Sequence, residues 1–168
     1  MSHLARAAKP KTKPPMITIV GTPGTGKTTL GAMFPNALMV MSEDGASVFD
    51  SWDEEAKPSV LPRLPKASKD EVGNLKSTRE TLLSIMDELI STDHGFTSLV
   101  VDSITSLDML FGHEIALRDG VNTVADASGG FHKGYAEVAS WHAEFVYKCE
   151  QLRAVKRMGI VFLAHTGI

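Results

Sequence analysis

One stretch, Gly21 to Thr29, constrains this chain more than any other part of the sequence. It reads GTPGTGKTT and fits the pattern G-x-x-x-x-G-K-[ST]. A short apolar, β-branched run, residues 16–20, precedes it, and a segment with helical character, residues 28–34, follows it up to Pro35. A strand, a glycine-rich loop and a helix in this order predict a phosphate-binding loop rather than a chance glycine-rich turn.

The residue types of this loop suit a nucleoside triphosphate with Mg²⁺. Backbone N–H groups of a glycine-rich turn approach phosphate oxygens without interference from Cβ atoms, and the following helix N-terminus adds partial positive charge. In this pattern the lysine, Lys27, reaches the β- and γ-phosphates, and the hydroxyl of Thr28 is a Mg²⁺ ligand. The residues predicted to bind the nucleotide are Gly21, Thr22, Pro23, Gly24, Thr25, Gly26, Lys27, Thr28 and Thr29.

Composition narrows the class of protein. With 168 residues, of which 43% are hydrophobic and 22% charged, the chain has the balance of one globular domain. Its net charge of −3 excludes a uniformly basic nucleic-acid-wrapping protein, so any DNA contact has to come from local patches. The single cysteine, Cys149, excludes an internal disulfide, and the sequence has neither a signal segment nor an apolar run of membrane length. We therefore expect a cytoplasmic protein with no membrane contact.

The sequence predicts a boundary after residue 15. Residues 1–15 carry Arg6, Lys9, Lys11 and Lys13, three prolines and no acidic residue. This composition predicts a flexible basic arm, and the alternative is an arm that contacts nucleic acid or a neighbouring subunit. Residues 16–168 form the predicted nucleotide-binding core. Because this core ends two residues after a strand that we place at its centre, we expect the natural protein to continue.

Acidic residues follow the second predicted strand. Residues 37–41 form a buried apolar run, which we place next to the phosphate strand, and Glu43 and Asp44 come after it. Ligands of open α/β sheets bind at the carboxyl ends of the strands. Glu43, with Asp44 as the second candidate, is therefore predicted to orient and deprotonate the water that attacks the γ-phosphorus. The alternative is that both acids are turn residues without a catalytic role.

Asp102 ends another β-branched run, residues 96–102. At this position the carboxylate is predicted to hold the water shell of Mg²⁺ or to accept a hydrogen bond from Thr28. Ser103, the next residue, either supports the γ-phosphate or caps the following helix.

Helical periodicity marks three later segments, residues 79–92, 104–118 and 135–157. Cys149 lies on the buried face of the last of these segments, which favours a role in core packing over a role as a nucleophile or metal ligand. Before these helices, residues 45–78 are predicted to form an irregular surface excursion.

A long loop, residues 119–134, separates the last two predicted helices. It contains four glycines and ends in His132, Lys133 and Gly134. Long loops of compact domains are usually functional or disordered, so His132 and Lys133 either contact phosphate or belong to a mobile loop.

The last apolar run, residues 160–164, is followed by His165. We expect this strand to lie beside the one that ends in Asp102, where His165 faces the γ-phosphate and senses its presence. The alternative is an ordinary histidine at a strand end. The other histidines show no metal-ligand spacing.

The series GTPGTGKTT, MSEDG, LVVDS and VFLAHT resembles the RecA-like P-loop ATPases, above all the phage-encoded AAA-type ATP-binding proteins linked to single-strand annealing and recombination. The resemblance covers residues 16–166. It implies an α/β fold with a mostly parallel sheet, helices on both faces, and ATP and Mg²⁺ as ligands. Its implied partners are single-stranded DNA, a phage or host single-strand-binding protein, and further copies of the chain in a homo-oligomer or filament. The implied location is the cytoplasm of a bacterial or phage-infected cell.

The resemblance also implies roles for single residues. Glu43 corresponds to the catalytic base, Asp102 to the acid on the magnesium side, and His165 to the γ-phosphate sensor, which is glutamine or histidine in relatives. The first DNA-binding loop corresponds to residues 119–134. The second would follow Thr166 and has no counterpart in these 168 residues, nor do later strands or an activating Lys or Arg finger.

We therefore predict a RecA-like ATPase that acts with single-stranded DNA. In this mechanism Lys27 and Mg²⁺ on Thr28 offset phosphate charge, Glu43 positions water, and His165 reports the γ-phosphate. Two other functions stay open. A P-loop kinase would need an arginine-rich lid that the sequence does not show, and a non-catalytic switch or scaffold would bind nucleotide without turnover. A GTPase is disfavoured because the sequence has no N-K-x-D or T-K-x-D motif.

Overall fold

Short apolar runs become the strands of a parallel sheet in the computed structural model, which describes residues 12–166. The strands are β1 (Met16–Gly21), β2 (Ala37–Met41), β3 (Ser59–Val60), β4 (Ser68–Lys69), β5 (Leu75–Lys76), β6 (Ser98–Asp102) and β7 (Gly159–His165). Strands β4 and β5 pair as a separate antiparallel hairpin, and the other five form one sheet in the order β1-β7-β6-β2-β3. All pairs within this sheet are parallel.

Four α-helices connect these strands. They are α1 (Lys27–Ala32), α2 (Thr78–Ser91), α3 (Ile104–Asp119) and α4 (Lys133–Val155). The three helices predicted from periodicity are confirmed within one or two residues at each end. The excursion between β2 and α2 contains more regular secondary structure than predicted. It forms two 3₁₀ turns, Ala46–Phe49 and Glu54–Ala56, the short strand β3 and the β4–β5 hairpin.

The sheet is covered by helices on both faces. Every residue of β2 and β6 is buried, as expected for strands of a parallel sheet between two helical layers. Along β6, Leu99 and Val101 pack in one apolar cluster with side chains of α2, α3 and α4, whereas Val100 packs in the other with Ala32 of α1. The approach of α1 is close, since a Cβ on Gly31 would lie 2.9 Å from Val100 Cγ1. The predicted α/β fold with a parallel sheet and two helical layers is confirmed.

The prediction that β2 lies next to the phosphate strand is wrong. Strand β1 pairs only with β7 among the described strands, and β7 and β6 separate it from β2. The reason is that β7, the last of these strands in the sequence, inserts between β1 and β6. The predicted pairing of the His165 strand with the Asp102 strand is confirmed, with Asp102 in register with Leu163.

The direction of α3 and α4 sets the position of the loop between them. Asp108, early in α3, contacts His142, whereas Arg118, at the end of α3, contacts Glu137 near the start of α4. The two helices are therefore antiparallel. As a result the loop of residues 120–132 lies at the end of α3 that is farthest from Asp102.

Of the predicted basic arm, residues 1–11 lie outside the described part of the chain. The backbone just before β1 contacts the end of α4 and the start of β7. The Pro14 carbonyl accepts a hydrogen bond from Arg153 Nε at 2.8 Å, and the Pro15 carbonyl accepts one from the Ile160 N–H at 2.9 Å.

Candidate nucleotide site

The glycine-rich turn between β1 and α1 has the backbone that a phosphate cradle requires. Gly24 and Gly26 have φ angles of 79° and 82°, in the region that residues with a Cβ rarely adopt. An added Cβ at either position would meet nothing within 4 Å, so the positive φ angle, and not crowding, is what favours glycine at these two positions. The hydroxyl of Thr25 donates to the Thr22 carbonyl at 2.8 Å and closes the turn.

Lys27 extends back over this turn. Its side chain is buried, and Nζ donates to the carbonyl oxygens of Gly21 and Thr22, both at 2.9 Å. These acceptors are neutral, and within residues 12–166 no carboxylate forms an ion pair with this ammonium group. Because a buried charge is costly without a counter-charge, the position suits an anionic ligand such as a phosphate chain.

Thr28 and Asp102 meet at the carboxyl end of β6. The Thr28 hydroxyl donates to Asp102 Oδ2 at 2.6 Å, as predicted from the sequence. The other oxygen, Oδ1, is buried and has no hydrogen-bond partner within the described residues. Burial raises the pKa of Asp102 above its ordinary value, against the opposing effect of the Thr28 hydrogen bond. An unpartnered carboxylate oxygen beside a hydroxyl fits Mg²⁺ and its water shell, which take oxygen ligands.

Glu43 lies at the carboxyl end of β2 and is held on both sides. Its Oε1 is 2.8 Å from His165 Nε2, and its Oε2 accepts a hydrogen bond from the Ser106 hydroxyl at 2.6 Å. Partial burial raises the pKa of Glu43, but the hydrogen bonds from Ser106 and His165 outweigh it, so the pKa lies below its ordinary value. The carboxylate is therefore the stable form of this side chain near neutral pH.

A chain of serine side chains supports this arrangement. Ser42 Oγ donates to the Ser103 carbonyl at 2.7 Å and accepts from the Ser103 N–H at 2.9 Å. Ser103 in turn caps α3, because its hydroxyl accepts from the Ser106 N–H at 3.1 Å. The predicted helix-capping role of Ser103 is confirmed.

Sequence reasoning missed Ser106. The signal that marks it is the spacing Asp102-Ser103-x-x-Ser106, which puts a hydroxyl in the first turn of the helix that follows the acidic strand end. Thr105 in the same turn fixes the end of β7, since its hydroxyl oxygen accepts from the His165 N–H at 2.9 Å.

The structure thus brings most of the predicted site residues to one edge of the sheet. The phosphate loop, Lys27, Thr28, Asp102, Glu43 and His165 all lie at the carboxyl ends of the parallel strands. Asp44 is exposed and makes no hydrogen bond within the described residues. The residues of loop 119–134 lie apart from this group, at the far end of α3.

Cys149 and Trp52 are both packing residues. Cys149 is buried in α4, and burial raises the pKa of its thiol to about 12, which confirms core packing. Trp52 packs edge-to-face on Phe49, with ring centroids 5.2 Å apart. Among residues 12–166 no three His, Cys, Asp or Glu side chains cluster as a metal site. In the same range no helix is long and apolar enough to cross a membrane.

Two comparisons with known proteins address the family. A comparison with curated proteins gave no match. The family model described as an AAA domain matches residues 13–168, which is nearly the whole chain and includes every residue of the site described above. With its P-loop nucleotide site on a parallel α/β sheet, this chain belongs to the AAA-domain family of P-loop ATPases.

Proposed function

We propose that this chain binds ATP with Mg²⁺ and hydrolyses it, in the manner of the RecA-like ATPases, while acting with single-stranded DNA. The observation that carries the proposal is the pair Glu43 and His165, 2.8 Å apart, on the same sheet edge as the phosphate loop and Asp102. A carboxylate that is ionised, restrained and close to the phosphate loop has the properties of a general base for water attack.

Each residue has a defined role in this mechanism. Lys27 and the N–H groups of the loop bind the β- and γ-phosphates, and Thr28 and Asp102 hold Mg²⁺ through oxygen ligands. Mg²⁺, when bound, neutralises charge on the phosphate oxygens. Glu43 orients a water molecule and accepts its proton while the oxygen forms a bond to the γ-phosphorus. The bond from that phosphorus to the β–γ bridging oxygen breaks, which leaves ADP and phosphate.

His165 is proposed to sense the γ-phosphate. Its Nε2 donates to Glu43, because an ionised carboxylate only accepts hydrogen bonds. A γ-phosphate beside β7 offers the same N–H a second acceptor. Exchange of His165 between Glu43 and phosphate then frees the base when ATP is present.

Exposed aromatic side chains support the DNA part of the proposal. Phe131, at the end of the long loop, is 92% exposed, and Tyr135 in the first turn of α4 is 52% exposed. The rings of His132 and Tyr135 stack with centroids 5.9 Å apart, and Lys133 lies between them in the sequence. Aromatic rings beside a cation are typical of surfaces that stack the bases of single strands. Assembly with further copies of the chain and contact with a single-strand-binding protein belong to the same proposal.

The test is ATP turnover by the wild-type chain and by Glu43→Gln, each with and without single-stranded DNA. Glu43→Gln is expected to lower kcat by roughly 10²- to 10⁴-fold and to leave ATP binding intact, because it removes only the proton acceptor. Asp44→Asn is the matched control, since it makes the same change in the neighbouring, exposed side chain. Turnover of Glu43→Gln at the wild-type rate would show that Glu43 is not the base.

A nucleotide switch without turnover is the second candidate function. It is favoured by the hydrogen bonds that both Glu43 oxygens accept, because these bonds hold the pKa of the carboxylate below its ordinary value and make it a weaker base. The switch predicts tight ATP binding by the wild-type chain, no phosphate release with or without DNA, and no effect of Glu43→Gln.

A further inference from the structure

A group of exposed cations follows strand β3. Arg63, Lys66, Lys69 and Lys76 are all exposed, and within residues 12–166 none of them forms an ion pair or a side-chain hydrogen bond. We name these four residues the basic strip. The segment from 61 to 76 holds only two acids, whereas the whole chain has a net charge of −3. With four cations and two acids, this segment carries a net positive charge on a chain whose net charge is negative.

The start of the basic strip is tied to the edge of the sheet that carries the nucleotide site. The N–H of Leu61 donates to the Met39 carbonyl at 2.9 Å, and the N–H of Leu64 donates to the Met41 carbonyl at 2.8 Å. The chain after β3 therefore continues along β2 to its carboxyl end. Arg63 directly precedes Leu64, and Met41 is two residues before Glu43, so the backbone of the strip begins beside the strand that leads to the proposed base.

Lys69 and Lys76 lie on the β4–β5 hairpin, where Lys69 pairs with Leu75 and Lys76 pairs with Ser68, so the two lysines leave opposite faces of the hairpin. Asp70 closes the turn of this hairpin. Asp70 Oδ1 accepts from the N–H groups of Val72 at 2.9 Å and Asn74 at 2.8 Å, and its Oδ2 accepts from Asn74 Nδ2 at 2.9 Å. These hydrogen bonds lower the pKa of Asp70 below its ordinary value, and the bond from the Asn74 side chain has the largest effect. Because its oxygens bind the turn, the Asp70 carboxylate does not pair with Lys69 or Lys76. The strip keeps its cations available for an external anion.

His113 lies between the strip segment and a cleft that Tyr135 of α4 lines. His113 Nε2 lies 3.0 Å from the Ala67 carbonyl, between Lys66 and Ser68 of the strip segment. The same histidine lines a cleft of about 390 Å³, whose other walls include Met109, Asn122 and Tyr135. His113 therefore contacts both the backbone of the strip segment and the cleft that Tyr135 lines.

We propose that the basic strip binds the phosphate backbone of single-stranded DNA, while bases reach the cleft beside Tyr135. This inference rests on the proposed function and adds to the long loop a second, cationic segment that follows β3. Exposed cations without acidic partners, together with an exposed aromatic ring, are the combination that binds single strands. Since the strip starts beside the end of β2, DNA bound here also lies close to Glu43, which couples strand binding to turnover.

The experiment measures binding of a fluorescent oligothymidylate by anisotropy, with ATP and Mg²⁺, at several salt concentrations. Replacement of all four strip residues by Gln is expected to raise Kd roughly 10- to 100-fold. The slope of log K against log salt is expected to fall by about 3, because each lost contact with a single strand removes about 0.7. A second variant with Lys66, Lys69 and Lys76 changed to Arg keeps the charge and is expected to bind like the wild type.

The matched single-site comparison is Lys66→Gln against Lys57→Gln. Lys57 lies in the same excursion but before β3, and its Nζ is 2.9 Å from Glu54. Lys66→Gln is expected to weaken binding severalfold and Lys57→Gln to leave it unchanged. Equal effects of the two would overturn the proposal, since they would reflect net charge alone.

Oligothymidylate binding and ATP turnover, measured on the same variants, distinguish a failure of the basic strip from a failure of the proposed function. If the wild-type chain binds oligothymidylate and the fourfold Gln variant binds it equally well, the strip is wrong and the proposed function stands. If the wild-type chain turns over ATP but binds no single strand, the DNA part of the proposed function fails, and the strip with it. Basal turnover of the fourfold variant is expected to equal that of the wild type.

Discussion

At the residue scale, Ser106 is the side chain whose removal is most informative. Its hydroxyl donates to Glu43 Oε2 at 2.6 Å, and hydrogen bonds to charged groups contribute about 1.5–3 kcal/mol. We expect Ser106→Ala to lower kcat about tenfold with little change in KM, because Glu43 loses one of the two groups that position it. Ser106→Thr keeps the hydroxyl and is expected to restore most of the rate.

The pH profile separates positioning from a loss of fold. The Ser106 bond lowers the pKa of Glu43, so without it that pKa rises towards its ordinary value. The base is active when ionised; the acidic limb of the rate profile of Ser106→Ala is therefore expected to move to higher pH. His165 and Asp102, the other titratable groups around Glu43, are unchanged in this comparison. A higher kcat in Ser106→Ala would instead mean that the serine restrains the base.

The single cysteine gives a second prediction at this scale. Burial raises the pKa of the Cys149 thiol to about 12, so at pH 8 almost none of it is thiolate, the reactive form. We expect a thiol-specific reagent to label the folded chain far more slowly than the chain in guanidinium chloride. Because the sequence has one cysteine, the labelling rate reports this site alone. Rapid labelling of the folded chain would contradict the packed position of Cys149.

At the element scale, a buried acid in α3 caps α2. Glu114 is 3% exposed; its Oε2 accepts from the Arg79 N–H at 3.0 Å, and its Oε1 accepts from the Ser77 hydroxyl. A carboxylate at a helix N-terminus is favourable both for hydrogen bonding and for the helix dipole. Glu114→Gln is expected to lower the free energy of unfolding by about 1–3 kcal/mol, measured by denaturant titration. Glu80→Gln is the control: it removes an exposed charge from the first turn of the same helix without removing a hydrogen bond to the cap, and is expected to cost less than about 1 kcal/mol.

The helix and strand boundaries could be predicted because they depend on local patterns. The apolar period of residues 79–92 and the β-branched run before Asp102 are readable within one segment. The short strand β3 was missed because Ser59–Val60 is too brief to show any period, and its pairing with β2 depends on contacts outside the segment. Ser106 was missed for a similar reason, since its partner Glu43 is 63 residues away.

At the scale of the whole molecule, nucleotide binding is expected to stabilise the fold. The site joins β1, α1, β2, β6 and β7, so a ligand bound there favours the folded state only. With ATP at 100 times its Kd, the free energy of unfolding is expected to rise by about 2.7 kcal/mol, seen as a higher Tm. Removal of Mg²⁺ with EDTA should reduce this shift, because Thr28 and Asp102 then have no cation to hold. Lys27→Ala should reduce it further; an equal shift with adenosine in place of ATP would contradict binding through the phosphate loop.

The phosphate loop and the alternation of strands with helices follow from consecutive residues alone. Each depends on backbone preferences and apolar periods within a short segment, such as the glycines at 24 and 26 with their positive φ angles. The order of the strands does not follow in this way, because β7 reaches its place between β1 and β6 only when the whole sheet assembles. That order brings His165 to Glu43, although 122 residues of sequence separate them. The pairing along β2 likewise puts the start of the basic strip beside the carboxyl end of β2. Contacts of this range depend on the packing of every layer at once, and no local pattern in the sequence encodes them.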